Sequence, residues 1–114
     1  MSEPTLNVLA YVRTNASTTA SGRMELEAQR ASIVETLNIE FGDPGYDLLV
    51  HEETGHLSHT LQIEVLEKIR MILMSEFFDV FIVADFTAIA HDESLLPFIS
   101  HMIDGCGTEL MVAG

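Results

Sequence analysis

The segment His51-Glu52-Glu53-Thr54-Gly55-His56-Leu57-Ser58-His59 places three imidazoles and two carboxylates within nine residues. Both kinds of group ligate transition metals, which makes His51, His56 and His59 the candidate ligands. Their spacing departs from the helical His-Glu-x-x-His pattern, because His51 and His56 lie five apart and Gly55 disfavours a helix. A solvated polar loop accommodates the same residues, so neither metal nor cofactor is expected. Arg13 stands at the root of a second cluster, Ser17, Thr18, Thr19, Ser21 and Gly22, whose hydroxyls could face a phosphate. That stretch has no GxxxxGK[ST] and no GxGxxG, and its composition is that of a loop. Asp85 follows a strongly apolar run, where a carboxylate serves chemistry or caps the next turn. His91 and His101 have no partner visible in sequence and read as surface histidines. Cys106, flanked by Gly105 and Gly107, lacks an adjacent group that would activate a thiol.

These residues need elements to position them. Leu6 to Val12 is short and almost wholly apolar, as in a strand covered on both faces. Residues from Arg13 to Gly22 read as loop, and Met24 to Phe41 as a helix with Leu26, Ile33, Leu37 and Phe41 on one side. Gly42-Asp43-Pro44-Gly45 makes a turn into a second strand, Tyr46 to His51. Thr60 reads as the N-cap of a helix to about Met74, with Leu61, Val65, Leu66, Ile69, Ile72 and Leu73 inward. On its outer side Glu64 and Lys68 form an i,i+4 pair. Asp79 to Ala84 is a third strand, Asp92 to Ile103 a third helix and Thr108 to Val112 a fourth strand. Met71, Met74, Met102 and Met111 read as core filler. The order β-α-β-α-β-α-β predicts an α/β three-layer sandwich: a mostly parallel sheet of about four strands with three crossover helices. The strand ends Arg13 to Thr18, Glu52 to His56 and Asp85 to Thr87 should then lie together.

Charge narrows the function. The 114 residues carry 5 Lys or Arg against 18 Asp or Glu, a formal net charge of −13, and no basic residue follows Arg70. Nucleic-acid binding needs cations that displace phosphate counterions, so an autonomous DNA- or RNA-binding module is not expected, nor is attraction to an anionic membrane. With 47% hydrophobic residues the chain can build a core. One cysteine forbids an internal disulfide, the start Met1-Ser2-Glu3-Pro4 lacks signal-peptide features, and no apolar run reaches a membrane-spanning length. A single soluble cytoplasmic domain is expected.

The segments together resemble the N-terminal catalytic domain of the serine recombinases, the resolvase/invertase family, over about residues 6 to 113. That family has a Tyr-x-Arg-x-Ser strand end, where this chain has Tyr11-Val12-Arg13-Thr14-Asn15. Its next helix often begins Ser-Leu-Glu-x-Gln, matched here by Glu25-Leu26-Glu27-Ala28-Gln29. A Ser-Gly pair followed by a helix-opening arginine corresponds to Thr54-Gly55 and Thr60. Its Asp-x-x-Arg-x-x-Arg-Asp signature corresponds to Asp85-Phe86-Thr87-Ala88-Ile89-Ala90-His91-Asp92.

What the resemblance implies is a DNA-cutting fold without its chemistry. The family's serine attacks a phosphodiester while arginines hold the phosphate, a task suited to their planar fork. Asn15 is not a competent nucleophile, and Thr60, Ala88 and His91 stand where arginines are expected. Removing one preorganised electrostatic stabiliser typically costs about 3–4 kcal/mol of transition-state stabilisation. Thr14 or Ser17 as a shifted nucleophile would still lack that cluster. Arg13, Gln29 and Asp85 match and could serve structure alone. The family's dimerisation helix and DNA-binding domain have no counterpart before Gly114.

The expectation is therefore a catalytically inactive recombinase-like domain acting through protein–protein interaction, with itself or a related recombinase, which it could regulate or inhibit. Three alternatives differ in class: an acidic DNA mimic filling a basic groove, a fragment of an active recombinase, and a small-molecule site on Arg13 and Asp85.

Overall fold

A computed structural model describes residues 5–14, 20–42, 45–55 and 57–113. Its elements are β1 (Leu6–Thr14), α1 (Ala20–Phe41), β2 (Tyr46–Thr54), α2 (Gln62–Ser75), β3 (Val80–Val83), α3 (Leu96–Gly105) and β4 (Glu109–Val112), with 3-10 turns at Phe86–Ala88 and Glu93–Leu95. All strand pairs are parallel, in the order β2-β1-β3-β4. This is the α/β sandwich that the alternation of apolar runs predicts.

Side-chain alternation on β1 divides the core between two faces. Val8, Ala10 and Val12 point to one face and pack with Leu26, Ile33 and Leu37 of α1. Leu9 and Tyr11 point to the other, against Val65, Ile69 and Leu73 of α2 and Ile99 and Ile103 of α3. Both faces of this central strand are covered, which is why its sequence is a continuous apolar run. Right-handed crossovers explain the layering: β1 to β2 moves one way along the sheet, whereas β2 to β3 and β3 to β4 move the other way. Strand order therefore reverses between β1 and β3, and a crevice opens there at their carboxyl ends.

Several boundaries differ from the sequence reading. Helix α1 starts at Ala20 rather than Met24, and Gly22, read as loop, is buried within it. Strand β2 continues past His51 to Thr54, in unbroken register with β1 as far as Thr14↔Thr54. Backbone pairing thus draws half of the His/Glu-rich segment into the sheet. Thr60 is not the cap of α2. Leu61 holds that position without a side-chain cap and is exposed, while the Thr60 hydroxyl pairs with Ser58 Oγ at 2.9 Å. The third helix is preceded by its own 3-10 turn, capped by Asp92, whose carboxylate accepts from Ser94 N at 2.9 Å. Strand β4 begins one residue late, and the buried Thr108 hydroxyl donates instead to Phe78 O at 2.8 Å. Asp43 and Pro44 lie outside the described residues.

The methionine and ion-pair readings also need correction. Met71 and Met74 are 68% and 67% exposed, because α2 turns Val65, Ile69 and Leu73 to the sheet and these two away. Met102 and Met111 are partly buried against the core as expected. Lys68 reaches across to Glu53 Oε1 on β2, 2.6 Å away, in place of the anticipated Glu64. Among the described residues no helix is long and apolar enough to cross a membrane.

Candidate functional site

Arg13 organises the strand ends. The alternation of β1 directs its side chain to the α2/α3 face, where the ends of β1, β2 and β3 converge. Its Nε donates to Ala88 O at 3.2 Å, Nη1 to Gly55 O at 3.2 Å and Nη2 to Tyr11 Oη at 3.4 Å. The guanidinium carbon also lies 5.9 Å from the Tyr11 ring centroid. One planar fork thus joins the loop after β2 to the turn after β3. Gly55 suits this place because its φ of +106° turns the chain where side-chain-bearing residues are strained. The same residue donates its N–H to Thr14 O at 2.9 Å. The predicted convergence of the three strand ends is present in these bonds.

Gln29 clamps the same residue from α1. Its Oε1 accepts from Arg13 N at 3.1 Å, and its Nε2 donates to Arg13 O at 2.7 Å. Four residues earlier, one helical turn along α1, Glu25 accepts from Thr14 Oγ1 at 3.0 Å. A cleft of about 270 Å³ opens at these strand ends, lined by Arg13, Thr14, Glu25, Leu57, Thr87, Ala90 and His91. It occupies the place where strand order reverses, the usual ligand crevice of such sheets. The one guanidinium among its described lining residues donates three bonds to internal acceptors, and a carboxylate lines the same space.

Three other predicted positions have local roles outside the cleft lining. Ala88 is buried and contributes only its carbonyl, to Arg13. Thr60 is exposed and engaged with Ser58. Asp85 caps the 3-10 turn by accepting from Thr87 N at 3.4 Å and is not among the described residues that line this cleft. Asn15, Ser17, Thr18, Thr19 and His56 lie outside the described residues.

His91 is the main departure from the sequence reading, which left it without a partner. Gln62, on α2, is 5% exposed and donates from Nε2 to Ile89 O at 2.7 Å. Its Oε1 therefore faces His91 and accepts from both backbone N (2.7 Å) and ring Nδ1 (2.8 Å). His91 Nε2 in turn lies 3.3 Å from Nδ1 of His59, with the rings nearly perpendicular. The sequence signal for Gln62 is an amide at the head of an apolar stripe continued by Val65 and Ile69. Such an amide must find polar partners when buried.

The remaining metal candidate, His51, points elsewhere. Its ring stacks on Tyr11 at 5.0 Å, and its Nε2 meets Glu53 Oε1 at 2.8 Å. Burial works to raise the Glu53 carboxyl, but hydrogen bonds and charge from Lys68 and His51 outweigh it and hold the group below its ordinary value. Burial, with Glu53 nearby, pushes the Tyr11 phenol up to about 12. His51 and His59 thus belong to separate polar networks. Among the described residues, no three His, Cys, Asp or Glu side chains converge as metal ligands.

No protein-family model matches the chain, nor does any curated protein sequence. Among solved structures it is similar to the C-terminal catalytic domain of ISC1926 TnpA, an IS607-like serine recombinase, with a TM-score of 0.69. The match covers 96% of this chain and 70% of that one at 15% sequence identity. At that identity the likeness is one of architecture. The four-stranded parallel sheet and its flanking helices have the fold of a serine recombinase catalytic domain.

Proposed function

We propose that this domain is a non-catalytic relative of the serine recombinases that acts by pairing with a recombinase-type catalytic domain and regulating it. The observation that carries the reading is the state of the cleft at the strand ends. Phosphoryl transfer depends on cations whose donors are free to meet developing charge. Here Arg13 directs its fork at Ala88 O, Gly55 O and Tyr11 Oη, and Glu25 adds negative charge to the same cleft. Ala88, Thr60 and His91 bring no guanidinium to replace it. A phosphodiester entering this space would meet one guanidinium offset by one carboxylate in place of a cation cluster.

Contact with protein remains as the route to function. Met71 and Met74, neighbours one turn apart on α2, are largely exposed, as is Phe77 just beyond the helix. Flexible apolar side chains of this kind suit protein surfaces that repack against a partner. The test mixes the protein with an active serine recombinase and its supercoiled substrate. The expected result is a complex on size exclusion and a dose-dependent fall in recombination, with no covalent link between this chain and DNA. A protein–DNA adduct lost in Thr14→Ala or Ser17→Ala would restore catalysis to the domain. Absence of any complex would overturn the pairing.

A further inference from the structure

We propose that His59 and His91 form a two-imidazole site for a divalent transition-metal ion of the zinc, nickel or copper class. This goes beyond the pairing function and does not depend on it. The first observation is the pairing of His91 Nδ1 with Gln62 Oε1 at 2.8 Å. Gln62 Oε1 accepts from ring Nδ1, and the Gln62 amide cannot reverse without losing its bond to Ile89 O. Nδ1 therefore carries the hydrogen, and Nε2 presents its lone pair. An imidazole whose second nitrogen donates to a fixed oxygen is the usual arrangement of a metal-ligating histidine.

The second observation is the place of His59. Its Nδ1 lies 3.3 Å from that lone pair. Two nitrogens bound at about 2.0–2.1 Å to one tetrahedral ion stand about 3.3–3.4 Å apart. The pair therefore has the ligand separation before any ion arrives. Without metal, the hydrogen on His59 Nδ1 bridges the two rings. With metal, that hydrogen moves to His59 Nε2 and both facing nitrogens donate lone pairs to the ion. The step is a tautomer shift, with no change in total protons and no redox partner.

Surroundings favour a cation that keeps water on its open positions. Both histidines are exposed, so an ion can enter. Asp92, adjacent to His91 in sequence, accepts from Ser94 N at 2.9 Å. His91 also lines the strand-end cleft, so a bound ion would join the loop before α2 to the turn after β3 at the cleft mouth. It would place positive charge where side chains supply little.

Titration calorimetry with nickel or zinc chloride near neutral pH tests this directly. The expected result is saturable binding of one ion and a higher melting temperature with metal. Both effects should be lost in His59→Ala and in His91→Ala, and kept in His51→Ala and His101→Ala. Copper(II) bound to the protein should show coupling to two imidazole nitrogens in electron paramagnetic resonance. Circular dichroism of each variant establishes that the fold persists. No saturable binding in the parent protein, or undiminished binding in His59→Ala and His91→Ala, would overturn the site.

Discussion

Gln29 replaces a missing strand for Arg13. Thr14 O is taken by Gly55 N on the β2 side, so Arg13, one residue earlier, turns its own N–H and C=O to the opposite side. There the pairing with β3 ends at Tyr11↔Val83. The carboxamide of Gln29 supplies both the acceptor and the donor that a longer β3 would have offered. A part-buried backbone pair left without partners is costly. We expect Gln29→Leu to lower the unfolding free energy by about 1–3 kcal/mol. Arg13→Lys should cost a similar amount, because an ammonium cannot hold three divergent acceptors in one plane. Urea denaturation of both variants checks this, and parent-like midpoints would show that the clamp is dispensable.

Glu25 controls the charge of the strand-end cleft. Its carboxylate lines the same cleft as Arg13 and accepts from Thr14 Oγ1. Glu25→Gln keeps a side chain of similar shape and removes one negative charge. Phosphate at millimolar concentration should leave the melting temperature of the parent unchanged and raise that of Glu25→Gln. Equal responses would show that Glu25 does not govern anion entry.

Two groups in the Tyr11–Glu53 network set opposite pH limits. Tyr11 has a raised folded value of about 12 against an ordinary 10. Its contribution is complete below pH 10 and is lost as pH rises towards 12, because the unfolded phenol gives up its proton first. The Glu53 carboxyl is lowered in the folded state, so its contribution is complete above the ordinary glutamate value and is lost as pH falls through the lower folded one. Glu53→Gln should flatten the acid limb of a stability-versus-pH curve. Tyr11→Phe should remove the group that titrates near 12 and flatten the alkaline limb.

Opposite sides of α2 should respond differently to truncation. Ile69 is fully buried in the core, whereas Met71 is two-thirds exposed. Ile69→Ala should destabilise the fold by about 2–5 kcal/mol through lost burial and a residual cavity. Met71→Ser should change stability by less than about 0.5 kcal/mol. On the pairing reading, Met71→Ser combined with Met74→Ser should nevertheless weaken the complex with a recombinase. Denaturation midpoints and size-exclusion profiles separate the two effects.

The order of elements and the parallel sheet were legible in the chain itself. Buried central strands must be apolar on both faces, as Val8 to Val12 and Val80 to Val83 are, and polar breaks must separate them. The same local chemistry pointed to Arg13 and to strand ends meeting at one edge. It could not reveal that the Arg13 donors turn inward, since Ala88 and Gly55 accept through backbone carbonyls that any residue possesses. Nor could it pair His91 with Gln62, 29 residues away, or Lys68 with Glu53. Helical spacing alone also left the exposure of Met71 and Met74 undecided, because that depends on how α2 rotates against the sheet. Periodicity is a property of neighbours in sequence and therefore specifies which elements form. Hydrogen-bond partners, charge balance in the cleft and the outward face of a helix depend on how those elements dock. Only the tertiary structure decides them.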